Sequence, residues 1–230
     1  MSDPSVHLVF DLDDTLYNEV DYSRSALAFA GGLIEEAFKV DDAASFLLKA
    51  FDNGQSDAIG ALWQTYALPH AACNDVIAAM RGHKPAIDLP QDSVEALTGL
   101  EPRGIKWSLL TDGRSLTQRL KIEALGLTNC SGVYISEERD VRKPELEAYS
   151  QIIDDQPDAC KFWYIADNPA KDFVVPNVLG WNTLMLRDRG QNIHPQNINV
   201  PEALKLKQKS AVSRKYSDLC NHAKSFRSLK

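Results

Sequence analysis

The chain has 230 residues and a formal net charge of −7, and its hydrophobic and charged contents of 44% and 25% are ordinary for a globular protein. It shows no apolar stretch of membrane-spanning length, no basic-then-apolar order of a signal peptide at its beginning, and no CxxC spacing among its four cysteines. These features disfavour membrane, disulfide-stapled and zinc-dependent classes, and we expect a cytoplasmic protein with one sizeable core, or with one core plus a smaller module.

The first predicted strand, Val6–Phe10, ends in a cluster of carboxylates. Asp11, Asp13 and Asp14 follow it within four residues. Carboxylates this close repel one another and are costly to bury, so they require a compensating cation. Mg²⁺ is the ion usually held by a few carboxylates together with a substrate phosphate, and a carboxylate can itself act as a nucleophile. The alternative at this point is an acidic turn in which Asp14 or Thr15 caps a helix.

Residues 18–88 show helical periodicity and no strand pattern. Helices are predicted over about residues 20–39, 42–51, 55–67 and 70–80. The pair Gly31-Gly32 predicts a kink in the first of them. Four aromatic residues of this segment, Phe29, Phe51, Trp63 and Tyr66, are interpreted as core. The segment therefore predicts a small helical insert between the first and second strands.

From residue 104 onward, short apolar runs alternate with amphipathic stretches. Strands are predicted over residues 105–110, 133–135, 162–166 and 183–186, and helices over 115–125, from 144 to about 154, and near 176–179. Together with the first strand, this makes five strands joined by helical crossovers. The pattern is typical of an α/β fold whose parallel sheet is covered on both faces, and ligands of such sheets bind beyond the carboxyl ends of the strands.

Polar residues follow the later strands at that same edge. In chain order they are Thr111, Asp112 and Gly113 after the second strand, Lys143 in the loop after the third, and Asp167 and Asp172 after the fourth. Each has an ordinary alternative as a helix cap, a surface lysine or a turn residue. Those alternatives do not explain why all of these groups reach one edge of one sheet, which favours a common site.

The four segments together resemble the motifs of the haloacid dehalogenase-like superfamily, most of whose members are Mg²⁺-dependent phosphohydrolases with an aspartate nucleophile. VFDLDDTLY resembles the first motif, LLTDG the second, RKPE the third and IADNPAKD the fourth. The fourth motif departs slightly from the usual Gly-Asp, because Ala166 precedes Asp167. The helical insert lies where one class of these enzymes carries a cap, and the spacing of Gln118 and Lys121 is similar to that of small-molecule phosphatases of the group.

The resemblance implies a role for each motif residue. Asp11 is the expected nucleophile and Asp13 the acid–base, and Thr111 and Lys143 are the remaining expected catalytic residues. The expected phosphate-binding residues are Thr111, Asp112, Gly113 and Lys143. The expected ligands of Mg²⁺ are Asp11, the backbone carbonyl of Asp13, Asp167, and Asp172, which either binds through water or orients Lys143.

The predicted organisation is an α/β, Rossmann-like doubly wound core of residues 1–17 and 89–200, a helical cap of residues 18–88, and a C-terminal tail of residues 201–230. The tail holds eight Lys and Arg against two Asp and Glu, so it carries +6 and leaves −13 for the rest of the chain. The acidic body disfavours nucleic-acid binding. The tail is a candidate partner-binding segment, although a solvated terminal helix is the simpler interpretation.

The expected function is hydrolysis of a small soluble phosphomonoester, either a nucleoside monophosphate or a sugar phosphate, through an aspartyl-phosphate. One alternative is a phosphomutase that passes the phosphoryl group to a sugar hydroxyl, and another is a non-catalytic binding protein that retains the fold. A dehalogenase is disfavoured, because dehalogenases of the superfamily lack an acid at the position of Asp13. We expect no membrane and no nucleic acid among the partners.

Overall fold

A computed structural model describes residues 5–188 and 190–196, and the backbone alone of residues 210–213. The chain divides into two compact units. The first contains the chain up to Glu19, Asp88–Gln118 and the chain from Leu127 onward, and the second contains Val20–Ile87 together with Arg119–Gly126. Within the described part of the chain, no helix combines the length and the apolar character needed to cross a membrane.

The elements alternate as an α/β chain should after an initial helical stretch. The strands are β1 (Val6–Phe10), β2 (Lys106–Thr111), β3 (Val133–Ile135), β4 (Lys161–Ala166), β5 (Asn182–Leu186) and β6 (Ser210–Ser213). The helices are α1 (Glu19–Phe38), α2 (Ala43–Asp52), α3 (Ala58–Thr65), α4 (His70–Arg81), α5 (Gln91–Thr98), α6 (Ser115–Ala124), α7 (Ser136–Arg139), α8 (Leu146–Asp155) and α9 (Val174–Val178). Of these, α5 and α7 have no counterpart among the predicted elements.

The strands of the first unit form one parallel sheet in the order β3-β2-β1-β4-β5-β6. Strand β1 lies between β2 and β4, with Val9 opposite both Ser108 and Tyr164. The apolar side chains of these strands pack with Tyr149 and Ile152 of α8 into a buried core. The predicted α/β fold with five parallel strands and flanking helices is confirmed. Because the strand order changes direction beside β1, the residues after Phe10 lie at the switch point where ligands of such sheets bind.

The predicted helical tail requires a correction at four residues. Residues 210–213 form strand β6, which pairs in parallel with β5 so that Leu184 lies opposite Ala211. Without β6, the outer edge of β5 would leave a row of backbone N–H and C=O groups without strand partners. Pairing with β6 supplies hydrogen-bond partners to that row. The remaining residues of the tail, 201–209 and 214–230, lie outside the described residues.

In the second unit, helices α1 to α4 pack around a core that includes Ile34, Leu47, Leu62 and Trp63. Helix α1 continues through Gly31-Gly32, and the kink predicted there stays a prediction. A Cβ atom at Gly31 would collide with the backbone of Ala44, and the glycine therefore permits close packing of α1 against the start of α2.

Two of the four aromatic residues interpreted as core are exposed. Trp63 is buried and Phe51 is half-buried, but Phe29 and Tyr66 are 40% and 41% exposed. Each of the exposed rings contacts another ring in the same unit, Phe29 that of His83 and Tyr66 that of Phe46.

Candidate active site

A polar pocket lies at the carboxyl ends of β1, β2 and β4. It is lined by Asp11, Asp13, Thr111, Asp112 and Asp167, together with Lys171 and His194. The sheet positions the first groups of each motif, because Asp11, Asp112 and Asp167 each follow directly on a buried parallel strand. The pocket thus brings together residues of the first, second and fourth motifs, while Lys143 of the third motif is buried beside Asp11.

The ammonium of Lys143 is enclosed by three oxygen atoms. Its Nζ lies 2.9 Å from Asp11 Oδ1 and 2.9 Å from Asp172 Oδ1, and it donates to Tyr164 Oη at 3.1 Å. The Tyr164 hydroxyl in turn donates to Asp172 Oδ1 at 3.2 Å. An ammonium has three donors, so this arrangement uses all of them and fixes the position of the charge beside Asp11.

Burial and mutual repulsion raise the pKa values of the carboxyls in this cluster. Burial raises the pKa of Asp11 to about 6, with Lys143 opposing the rise and Asp172 adding to it. Burial also raises the pKa of Asp167 to about 8, and the charges of Asp11 and Asp172 contribute further. For Lys143, burial alone would lower the pKa, but Asp11 and Asp172 raise it well above its ordinary value. The site therefore stabilises one ammonium and carries a surplus of negative charge.

The same cluster has the composition of a divalent-cation site. Carboxylate oxygens of Asp11, Asp167 and Asp172 lie within 4.8 Å of one another, and all three residues are buried. Two of them, Asp11 and Asp172, share the ammonium of Lys143. An oxygen-only set of this kind suits Mg²⁺, which would offset the excess negative charge. The carboxylate of Asp13 is not part of this cluster, and its predicted backbone contact with the ion stays a prediction.

We expect Mg²⁺ to raise the melting temperature of the protein, and to do so more at about pH 8 than at about pH 5.5, because the ion competes with protons for these carboxylates. Carboxyls with raised pKa values bind more protons in the folded than in the unfolded chain, so the metal-free fold loses stability as the pH rises from about 4 through about 8. Free Mg²⁺ at about 100 times its Kd would restore about 2.7 kcal/mol.

Thermal unfolding with Mg²⁺ or with EDTA, at matched ionic strength, measures this effect. The Asp167→Asn variant is the control and should respond less to the ion. An equal response at both pH values, or a full response in the variant, would contradict the assignment of the cation site.

Asp13 is held apart from the cation cluster by two hydrogen bonds. Its Oδ1 accepts from the Tyr17 hydroxyl at 2.6 Å, and its Oδ2 accepts from Gln118 Nε2 at 2.9 Å. Burial and the neighbouring charge of Asp13 raise the pKa of Tyr17, which therefore stays a proton donor. Asp13 is half-buried and lines the pocket, so these two hydrogen bonds give its carboxylate a defined direction there.

Asp14, the third aspartate of the first loop, has structural contacts. Its backbone is left-handed with φ 53°, and its carboxylate accepts from the backbone N–H of Glu19 and from that of Ile193, each at 2.9 Å. The first contact joins the loop after β1 to the start of α1, and the second joins it to a loop near the pocket.

The second motif supplies one buried hydroxyl and two residues with structural contacts. Thr111 is buried, and its Oγ1 accepts from Gln118 Nε2 at 2.6 Å. Asp112 accepts from the backbone N–H of Lys143 at 3.1 Å and lies 3.4 Å from Lys171 Nζ, and the N–H of Gly113 donates to Ser136 Oγ. These contacts hold the loops together, and the predicted phosphate-binding roles of Asp112 and Gly113 stay predictions.

Several contacts of the site could not be predicted from the sequence. Gln118 contacts Asp13, and Tyr164 contacts Lys143, across segments that are distant in the chain. Asn192 is a further case, since its Nδ2 donates to Asp167 Oδ2 at 2.7 Å from a loop beyond β5. The spacing of Gln118 was noticeable in the sequence, but nothing local indicates that its side chain turns inward.

Comparisons with solved structures show the same fold in several hydrolases. A HAD-hydrolase, YfnB from Bacillus subtilis bound to magnesium, is 19% identical with a TM-score of 0.62, over 95% of this chain and 98% of that chain. A HAD phosphatase from Thermococcus onnurineus is 16% identical with a TM-score of 0.58, over 94% and 97% of the two chains. The L-2-haloacid dehalogenase RSc1362 is 16% identical with a TM-score of 0.60, over 96% and 99%.

At these identities the likeness shows the fold alone, and the matched proteins include both a phosphatase and a dehalogenase. None of the curated proteins compared with the chain matches it. A family model described as haloacid dehalogenase-like hydrolase matches residues 7–173, a range that contains all four motifs. The chain therefore belongs to the haloacid dehalogenase-like hydrolase family.

Proposed function

We propose that the protein is a Mg²⁺-dependent phosphatase that hydrolyses a small phosphomonoester through an aspartyl-phosphate on Asp11. The observation that carries this proposal is the second carboxylate, Asp13, which lines the pocket beside Asp11 but is held outside the cation cluster. A halide leaves as a weak base and needs no proton, whereas the oxygen leaving group of an alkyl phosphate does. A positioned acid beside the nucleophile thus favours phosphate ester hydrolysis over dehalogenation.

The reaction divides the work among the residues of the pocket. Asp11 attacks phosphorus, forming a bond from its carboxylate oxygen while the bond from phosphorus to the leaving oxygen breaks. Asp13 donates its proton to that leaving oxygen. The ionised Asp13 then takes a proton from a water molecule whose oxygen bonds to phosphorus. The bond between phosphorus and the Asp11 oxygen breaks, which releases inorganic phosphate and regenerates Asp11.

The neighbouring residues hold the charge that moves during this reaction. Lys143 fixes one oxygen of Asp11, so the other is left for attack, and Thr111 donates its hydroxyl hydrogen to a phosphoryl oxygen. Phosphoryl transfer depends mainly on positioning and charge stabilisation, which is what this set of residues provides. Mg²⁺, bound by Asp11, Asp167 and Asp172, would neutralise phosphoryl charge.

The proposed substrates are nucleoside monophosphates and sugar phosphates. Besides the carboxylates, the pocket lining includes Asn168 and His194, which are polar groups suited to a hydrophilic alcohol.

The test measures phosphate release and halide release side by side. We expect the protein to release phosphate from p-nitrophenyl phosphate and from members of a panel of nucleoside monophosphates and sugar phosphates, only with Mg²⁺ present, and to release no chloride from L-2-chloropropionate. Chloride release without phosphate release would overturn the proposal in favour of dehalogenation. Transfer of phosphate between positions of a sugar phosphate, without net release, would overturn it in favour of a mutase.

A further inference from the structure

We propose that Gln118 is a positioning residue that sets the direction of both Asp13 and Thr111. This inference rests on the proposed phosphatase function, in which those two residues are the acid–base and a phosphate donor. Gln118 lies in helix α6 and is buried, with 2% of its surface exposed. It is therefore a buried polar side chain whose contacts must account for its burial.

The side-chain amide of Gln118 joins the ends of two strands. Its Nε2 carries two hydrogens, which donate to Asp13 Oδ2 at 2.9 Å and to Thr111 Oγ1 at 2.6 Å, and the carbonyl oxygen of Asp112 is a third, more distant acceptor at 3.3 Å. The carbonyl oxygen and an ionised carboxylate only accept hydrogen bonds, so the NH₂ group and not the amide oxygen must face them. The amide thus spans the loop after β1 and the end of β2.

For Thr111, this contact decides where the hydroxyl hydrogen goes. Thr111 is buried, and Gln118 is its side-chain hydrogen-bond partner in the described part of the chain. Because Gln118 donates to the oxygen, the hydroxyl hydrogen stays free to donate elsewhere. Thr111 lines the pocket, so a phosphoryl oxygen bound there is the acceptor that this arrangement fits.

For Asp13, the contact fixes the plane of the carboxylate. Gln118 holds Oδ2 while the Tyr17 hydroxyl holds Oδ1 at 2.6 Å, so the carboxylate is restrained through both oxygens. A general acid is effective only within hydrogen-bond reach of the leaving oxygen and in the right direction. Gln118 acts on the reaction through Asp13 and Thr111, without itself touching the reacting atoms.

The glycine of the second motif makes room for this side chain. A Cβ atom at Gly113 would lie 3.0 Å from both Cγ and Cδ of Gln118, closer than ordinary packing allows. Its φ of 148° also lies in a region that favours glycine. Gly113 therefore leaves Gln118 in reach of Asp13, which gives the Thr-Asp-Gly sequence a role in the position of the acid–base.

The Gln118→Met variant tests the inference because it keeps the length of the side chain and removes its donors. We compare kcat/KM for p-nitrophenyl phosphate with that for an alkyl phosphate that the wild type hydrolyses. Since nitrophenolate leaves without protonation, a misplaced acid should cost about 100-fold on the alkyl phosphate and less than about tenfold on the aryl phosphate. A merely structural role would lower both values by the same factor.

Two further variants complete the experiment. Gln118→Glu is nearly isosteric and turns donors into acceptors, so the Thr111 hydroxyl would donate to residue 118. The kcat/KM of Gln118→Glu should depend on the leaving group as that of Gln118→Met does, and inorganic phosphate should inhibit this variant more weakly than the wild type. If Gln118→Met does not fold, Gln118→Glu decides the outcome. Glu123→Met, at an exposed position of the same helix, is the control and should leave both kcat/KM values within about twofold of the wild type.

Equal losses of kcat/KM on both substrates, or full activity of Gln118→Met, would overturn the positioning role of Gln118. The proposed function would still stand in that case, provided that the wild-type protein hydrolyses phosphate esters. A wild-type protein that hydrolyses no phosphate ester would instead overturn the proposed function, and this inference with it.

Discussion

Replacing Asp11 with asparagine should reduce phosphate release by about 10⁴-fold or more, the scale on which hydrolases lose activity when their nucleophile is removed. The amide is nearly isosteric with the carboxylate, but it is neutral and a poor nucleophile. The substitution also removes one of the three carboxylates of the cation cluster, whose oxygens lie within 4.8 Å of one another. The variant should therefore lose both covalent chemistry and a large part of its affinity for the ion.

The stability of the same variant should not fall. Burial raises the pKa of Asp11 to about 6, so at about pH 8 the ionised carboxylate is less favourable in the folded than in the unfolded chain. A neutral asparagine removes that cost, and Lys143 keeps Asp172 and Tyr164 as partners. Thermal unfolding without metal should give a melting temperature equal to or above that of the wild type. Retention of turnover in this variant would show that Asp11 is not the nucleophile.

Replacing Lys143 with methionine should have the largest effect on stability. The ammonium is fully buried and lies 2.9 Å from an oxygen of Asp11 and 2.9 Å from one of Asp172. Without it, two buried carboxylates lose their shared counter-charge, and removing one partner of a buried ion pair costs about 3–5 kcal/mol. Urea unfolding without metal measures the loss. Activity should fall as well, because Asp11 loses the cation that fixes one of its oxygens.

Lys171→Met is the matched control for this substitution. Lys171 also pairs with an aspartate, but its Nζ lies 3.4 Å from Asp112 Oδ2 and 32% of its side chain is exposed. Exposed pairs contribute about 1 kcal/mol or less, so the control should unfold close to the wild type. Similar losses in both lysine variants would contradict a special role for the buried charge.

The convergence of Asp11, Thr111 and Asp167 could be predicted from the sequence, because it depends only on the order of strands and helices along the chain. Each follows an apolar run that reads as a buried strand, and parallel strands deliver their carboxyl ends to one edge of a sheet. The structure places all three in one pocket. The same reasoning identified Lys143, whose loop follows the third strand.

The contacts that support these residues could not be predicted in the same way. Gln118 lies in an amphipathic helix, where glutamine is usually exposed. Whether it turns inward depends on the rotation of α6 and on the space that Gly113 leaves, which are tertiary properties. For the same reason, the pair Gly31-Gly32 does not by itself indicate that Gly31 packs closely against Ala44. Strand β6 likewise pairs with β5, a contact between segments that are distant in sequence.

The central position of β1 has a consequence for pieces of this chain. Strand β1 takes its partners from distant sequence, since His7 pairs with Lys106 and Val6 pairs with Lys161. A fragment that ends before residue 161 leaves one side of an apolar strand without its hydrogen-bonding partner. Such an edge pairs readily with strands of other molecules, so premature termination or proteolysis before β4 yields aggregation-prone products rather than a smaller working enzyme.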